Sequence, residues 1–185
     1  MSNQPQQTPA DPETVKRNHV MTSRIIHGSL LFGLLVFAVI AAAVGPGVAA
    51  GSGDGSEAAA DQQGLSLEVL WIHAAVLTAV GLACAAIAPG IYIKQARAAA
   101  SNAESQSEAF NAVSASWATL QLARACLLEG AGLFAAVCVL VTGDMLFLIP
   151  VAITIAALIV IAPTRAKLDA FESLVKNGPP HPTAV

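Results

Sequence analysis

Three observations predict an all-α membrane protein. Of 185 residues, 55% are hydrophobic and only 11% are charged, with a mean hydropathy of +0.65, where an ordinary soluble domain carries roughly 25% charged residues. Four apolar segments, at about Ile25 to Val44, Leu67 to Ile93, Ala123 to Val141 and Met145 to Ala162, each have the ~17 to 25 residues that cross ~30 Å of hydrocarbon as helix. Those segments are apolar all round: they lack the 3.6-residue polar stripe of a soluble bundle and the alternation of a β-barrel. The expected architecture is four transmembrane helices arranged as two helical hairpins.

Residues 1–17 hold Gln, Pro, Thr and Asp with almost no apolar mass, and such a stretch is expected to be a disordered arm. It lacks the basic start and immediate apolar core of a secretory signal, so the first span is expected to be retained. The first hairpin is placed at 18–98. Its loop begins at Gly45-Pro46-Gly47 and continues as a Gly, Ser and acid mixture that reads as flexible and exposed.

Residues 99–118 form the connection to the second hairpin. They are rich in Ala, Glu, Gln and Ser, which favours helix continuing into water. The second hairpin is placed at 119–175, closed by the tight turn Thr142-Gly143-Asp144, with Pro150 in the first turns of the fourth helix. A proline-rich tail, 176–185, is expected to be disordered.

Charge placement predicts orientation. All nine bases precede span one (Lys16, Arg17, Arg24), flank the middle connection (Lys94, Arg97, Arg124) or follow span four (Arg165, Lys167, Lys176). The other two loops hold Asp54, Glu57, Asp61, Glu68 and Asp144 and no base. Because cytoplasmic flanks collect Lys and Arg, both termini and the middle connection are expected in the cytoplasm of a multi-pass inner (plasma) membrane protein. A net charge of −3 and a pI near 5.7 lack the basic footprint of nucleic-acid binding, so the expected partner is the lipid bilayer.

Ile26-His27-Gly28-Ser29-Leu30-Leu31-Phe32 lies alongside Leu128-Glu129-Gly130-Ala131-Gly132-Leu133-Phe134, and Ile87-Ala88-Pro89 alongside Ile161-Ala162-Pro163. Two hairpins of one design, running in the same direction, would produce such matches; so would composition bias alone.

Glu129 is the one carboxylate inside a predicted span, five residues after Arg124. An ionisable group there reads as an ion or proton site, or as a structural partner for Arg124 or His27. His27 occupies the repeat position of Glu129, and the two could share a proton at equal depth. The other reading of His27 is a hydrogen bond to a backbone carbonyl. His73 and His27 lie near opposite ends of their spans, which disfavours a shared haem. Cys84, Cys126 and Cys138 show no zinc or disulfide spacing, and no catalytic motif occurs, so neither an enzyme nor a cofactor is expected. Small residues at helix-packing positions include Ser29, Gly33, Gly130, Gly132 and Ala136. Such seams serve the internal bundle, a homo-oligomer or a larger membrane complex.

Cys126-Leu127-Leu128-Glu129-Gly130-Ala131-Gly132-Leu133-Phe134-Ala135-Ala136-Val137 resembles the second helix of the proteolipid c subunits of F- and V-type ATPases. The resemblance implies that Glu129 is a proton or sodium site and that the middle connection is the polar loop of a c-like hairpin formed by spans two and three. The function expected is a non-enzymatic packing or accessory subunit of c-like character, or a proton- or ion-translocating protein using Glu129 with His27.

Overall fold

In a computed structural model of the protein, described for residues 12–51 and 66–177, every long element is helical: α1 Pro12–Gly51, α2 Leu67–Ser101, α3 Gln106–Thr142, α4 Leu148–Ile161 and α5 Arg165–Asn177. A single 3-10 turn, Met145–Phe147, leads into α4. Helices α1, α2 and α3 are long and apolar enough to cross a membrane, and the bent pair formed by Met145–Ile161 and α5 would be a fourth crossing if taken as one span. The chain is thus an all-α, multi-pass membrane bundle by length and composition.

Helix α3 is the centre, with α1, α2 and α4 packed around it. It begins at Ser105, whose hydroxyl accepts from the Glu108 N–H at 3.2 Å while the Glu108 carboxylate accepts from the Glu104 N–H at 2.9 Å, a variant of the capping box. It ends at Gly143, which adopts φ 69° and donates its N–H to Val139 O at 2.8 Å. That left-handed conformation needs glycine, and it turns the chain into α4 within two residues. Asp144 then caps the 3-10 turn through Leu146 N and accepts from the Trp71 indole at 3.3 Å. Trp71 stacks on Phe147 with centroids 4.4 Å apart, closing the acidic end of the bundle.

Several expectations are corrected. Residues 12–17, placed in a disordered arm, are the start of α1: Pro12 suits a first helical position, Glu13 complements the helix dipole, and Lys16 is fixed to α5. Gly45-Pro46-Gly47, expected to begin a loop, instead continues helix α1 to Gly51. The middle connection, 99–118, is helical as expected except at Asn102 to Ser105, because α2 and α3 extend about 52 and 55 Å. Helices α1 and α2 both lie on α3, and among the described residues each packs far more on α3 than on the other. The remainder of the proposed arm (1–11), most of the first loop (52–65) and the tail from 178 lie outside the described residues.

The fourth segment differs most. Helix α4 has 14 residues, about 21 Å, and turns by 70° into α5 at Ala162-Pro163-Thr164. Pro89, its proposed repeat partner, sits inside an unbroken α2. The residues after each proline account for the difference. Thr164 starts a new helix by accepting from Lys167 N at 3.3 Å and Leu168 N at 3.2 Å, whereas Ala96 continues α2 into a second core. That core, at the basic end, joins Leu168, Phe171 and Val175 of α5 to Val20, Ala96, Val113, Trp117 and Leu120. Spacing of three and four residues puts those α5 side chains on one face. Arg97 completes the anchorage by donating to Leu174 O and Val175 O, two of the orphan carbonyls at the α5 C-terminus.

Candidate functional site

Glu129 lies thirteen residues from the acidic end of α3, roughly 20 Å along the helix. It is half-buried at the margin of the α1–α3 seam. The carboxylate faces the bare backbone of Gly33, where a Cβ would lie 4.0 Å from Oε1. No hydrogen bond or ion pair reaches it among the described residues. Arg124 does not pair with it, because five residues of helix rotate the two side chains about 140° apart. The Arg124 Nε is instead buried, with no partner among the described residues. Its charge is felt by Lys167, whose ammonium is pushed below the ordinary lysine value by burial first and by Arg124 second.

His27 stands at a different level. Gly33, which faces Glu129, is six residues beyond His27 in α1, or about 9 Å along the axis. The register of the parallel α1 and α3 therefore separates the two residues that the repeat aligned. His27 is buried and its Nε2 donates to Leu158 O at 2.8 Å. Pro163 explains the available acceptor: it has no N–H for Ile159 O, so Ala162 N turns back to Ile159 at 3.3 Å and releases Leu158 O. Two further side chains finish the same helix end. Lys167 donates to Val160 O and Ala162 O, and Arg24 Nε donates to Pro163 O at 3.0 Å.

A carbonyl only accepts, so Nε2 carries a proton, and in a neutral ring with that tautomer Nδ1 is an acceptor. Nδ1 has no partner among the described residues, and neither has Gln121 Oε1; both residues are buried. They line one cavity of about 180 Å³ between α1 and α3, together with His19, Thr22, Ser23 and Thr119. Gln121 was not singled out in the sequence, where an amide on an otherwise apolar face was the only signal.

Comparison with protein-family models, with curated proteins and with solved structures finds no match. Among the described residues no three His, Cys, Asp or Glu side chains group as metal ligands. Cys84 and Cys126 are exposed, Cys138 is buried, and all three are free. His73 bonds Val69 O of its own helix at 2.7 Å.

The small residues divide into contacts and open positions. At Gly132 a Cβ would meet Thr154 Oγ1 at 2.5 Å and the Leu34 methyls at 2.9 and 3.1 Å, so α1, α3 and α4 converge there. Ala136 is buried one turn later. Gly130 has nothing within 4 Å of a built Cβ, and Ser29 is exposed with its hydroxyl on Ile25 O of its own helix. Two close approaches that the sequence did not single out are Gly45, whose Cβ would lie 2.6 Å from Val139 O, and Gly81, 3.3 Å from Leu127 O. Their signal was the residue type alone.

Proposed function

We propose that this chain is a four-span, non-enzymatic subunit of a membrane assembly, with c-subunit-like character centred on Glu129. The observation that carries this reading is a half-exposed carboxylate at the bundle's margin, without a partner among the described residues and set over Gly33 rather than locked inside the core. An intramembrane ionisable residue without a structural partner has its use at a surface the bundle does not itself close: a bound ion, a second copy or a larger complex. Exposed apolar side chains on α1 near that level, such as Phe32 and Val36, suit lipid or a partner helix. Duplication draws support from the parallel run of α1 and α3 and none from the unequal fates of Pro89 and Pro163.

A lipid-soluble carbodiimide tests the placement of Glu129. It should modify Glu129 in native membranes, and E129Q should abolish the modification. Modification confined to Glu13, Glu104 or Glu108, with Glu129 untouched, would refute a lipid-accessible carboxylate. Copurification from native membranes tests the assembly itself, where recovery of a solitary monomer in native lipid would count against a subunit.

Proton or ion translocation through Glu129 and His27 is the second reading. The observation in its favour is a cavity of about 180 Å³ lined in part by His27 and Gln121, whose buried Nδ1 and Oε1 have no partner among the described residues.

The membrane orientation rests on the nine bases. They gather at one end of the bundle, and we infer that this end, with both termini, is cytoplasmic. Reporter fusions after Lys176 and within residues 100–112 should read cytoplasmic, and a fusion near Asp54 should read external. A cytoplasmic signal at Asp54 would reverse or break the topology.

A further inference from the structure

At the basic end a groove of about 300 Å³ runs between α1 and the start of α5, lined by Lys16, Arg17, Val20, Met21, Arg24 and Arg165. Four of these six side chains are cationic, and two are already matched. Lys16 meets Asp169 at 3.2 Å and Glu172 at 2.8 Å, while Arg165 pairs with Glu13. Arg17 and Arg24 have no carboxylate within ion-pair distance among the described residues. Spacing of four and then three residues puts Arg17, Met21 and Arg24 on one face of α1. Arg24 is held at the α4–α5 corner by its Nε bond to Pro163 O, which leaves its two terminal nitrogens for other acceptors. The same face is apolar and open within the groove and just below it: Met21 is 60% and Ile25 59% exposed. Two unmatched guanidinium groups therefore stand where the apolar helix surface begins.

We propose that this groove binds the phosphate of an anionic phospholipid, with Arg17 and Arg24 hydrogen-bonding its oxygens and the acyl chains lying along Met21 and Ile25. A guanidinium presents its donors in a planar fork that matches two phosphate oxygens at once, which an ammonium does not. Basic pockets between helices at the membrane surface are suited to anionic headgroups for this reason. A soluble phosphate would meet the same two arginines but would have nothing to set against Met21 and Ile25. The apolar half of the site selects a lipid over a free ion.

The test is binding of phosphatidylglycerol to the purified full chain in neutral detergent, followed by native mass spectrometry. Arg17 makes no hydrogen bond or ion pair within the described residues, so R17Q should fold normally and weaken binding about fivefold, the share of one basic residue near a membrane surface. R24K keeps the charge but loses the fork, and should weaken binding about twofold or more. K94Q removes an exposed base elsewhere at the same end and should leave binding unchanged. Equal losses in R17Q and K94Q would reduce the effect to diffuse attraction and overturn the site. Equal binding of phosphatidylcholine would show that the anionic charge is not read, and competition by glycerol phosphate at similar concentrations would show a soluble-anion site; either result overturns the proposal.

Discussion

Gly132→Leu should collapse the packing of the bundle, lowering the detergent melting temperature sharply, while Gly130→Leu two residues away should leave it unchanged or raise it. At Gly132 even a methyl group would sit 2.5 Å from Thr154 Oγ1 and 2.9 Å from a Leu34 methyl. Neither neighbour gives way easily, since Leu34 and Thr154 are fully buried and the Thr154 hydroxyl is bonded to Val151 O at 2.8 Å. A leucine must push α1 and α4 off α3, and overpacking of this kind typically costs ~1 to 3 kcal/mol and occasionally more. At Gly130 a Cβ meets nothing within 4 Å. There the substitution mainly exchanges a poor helix former for a good one, worth about 0.8 kcal/mol in the opposite direction. Melting curves of the two variants separate the effects by sign. Equal tolerance at both positions would show that α1, α3 and α4 do not converge at Gly132.

Periodic and compositional features were the readable part of this fold, and long-range partners were not. Spans two and three, the Gly143 turn and the close approach at Gly132 follow from apolar length, from turn chemistry and from small residues at four-residue spacing. The helical start at Pro12 eluded composition because its support comes from Asp169 and Glu172, more than 150 residues away. The same holds for His27, whose carbonyl partner is 131 residues distant and is released only because Pro163 comes after it. Register was the other hidden quantity. Similar sequences in α1 and α3 set His27 beside Glu129, yet the packing sets Gly33 there, because the helices slide to the offset at which Gly132 and Gly45 admit their neighbours. Helix α5 was legible in principle, since Leu168, Phe171 and Val175 form a stripe, but its short amphipathic run after a hydrophobic span reads as a mere flank.

Lys16→Met should loosen both ends of the chain where they meet. Glu172 is 7% exposed, its Oε2 accepts from Lys16 Nζ at 2.8 Å and its Oε1 has no partner among the described residues. Removing the lysine strands that carboxylate beside the second core, and leaving a buried acceptor of a partly buried pair without its donor costs about 1 to 3 kcal/mol. Hydrogen exchange should quicken in residues 12–20 and in α5, and the melting temperature should fall. Adding Glu172→Gln should recover much of the loss, because removing both charges strands neither. The pH dependence has a definite sign. The hydrogen bond to Glu172 is the largest influence on the Lys16 ammonium and raises its pKa above 10.5; burial opposes it, and Asp169 adds to the rise. A lysine raised on folding stabilises fully below its unfolded value and loses that contribution as pH climbs through the folded one. Wild type and Lys16→Met should therefore differ most at neutral pH and converge in strong alkali. A constant gap between the two melting curves across that range, or a double variant no more stable than the single one, would mean that the lysine does not act through its charge pair with Glu172.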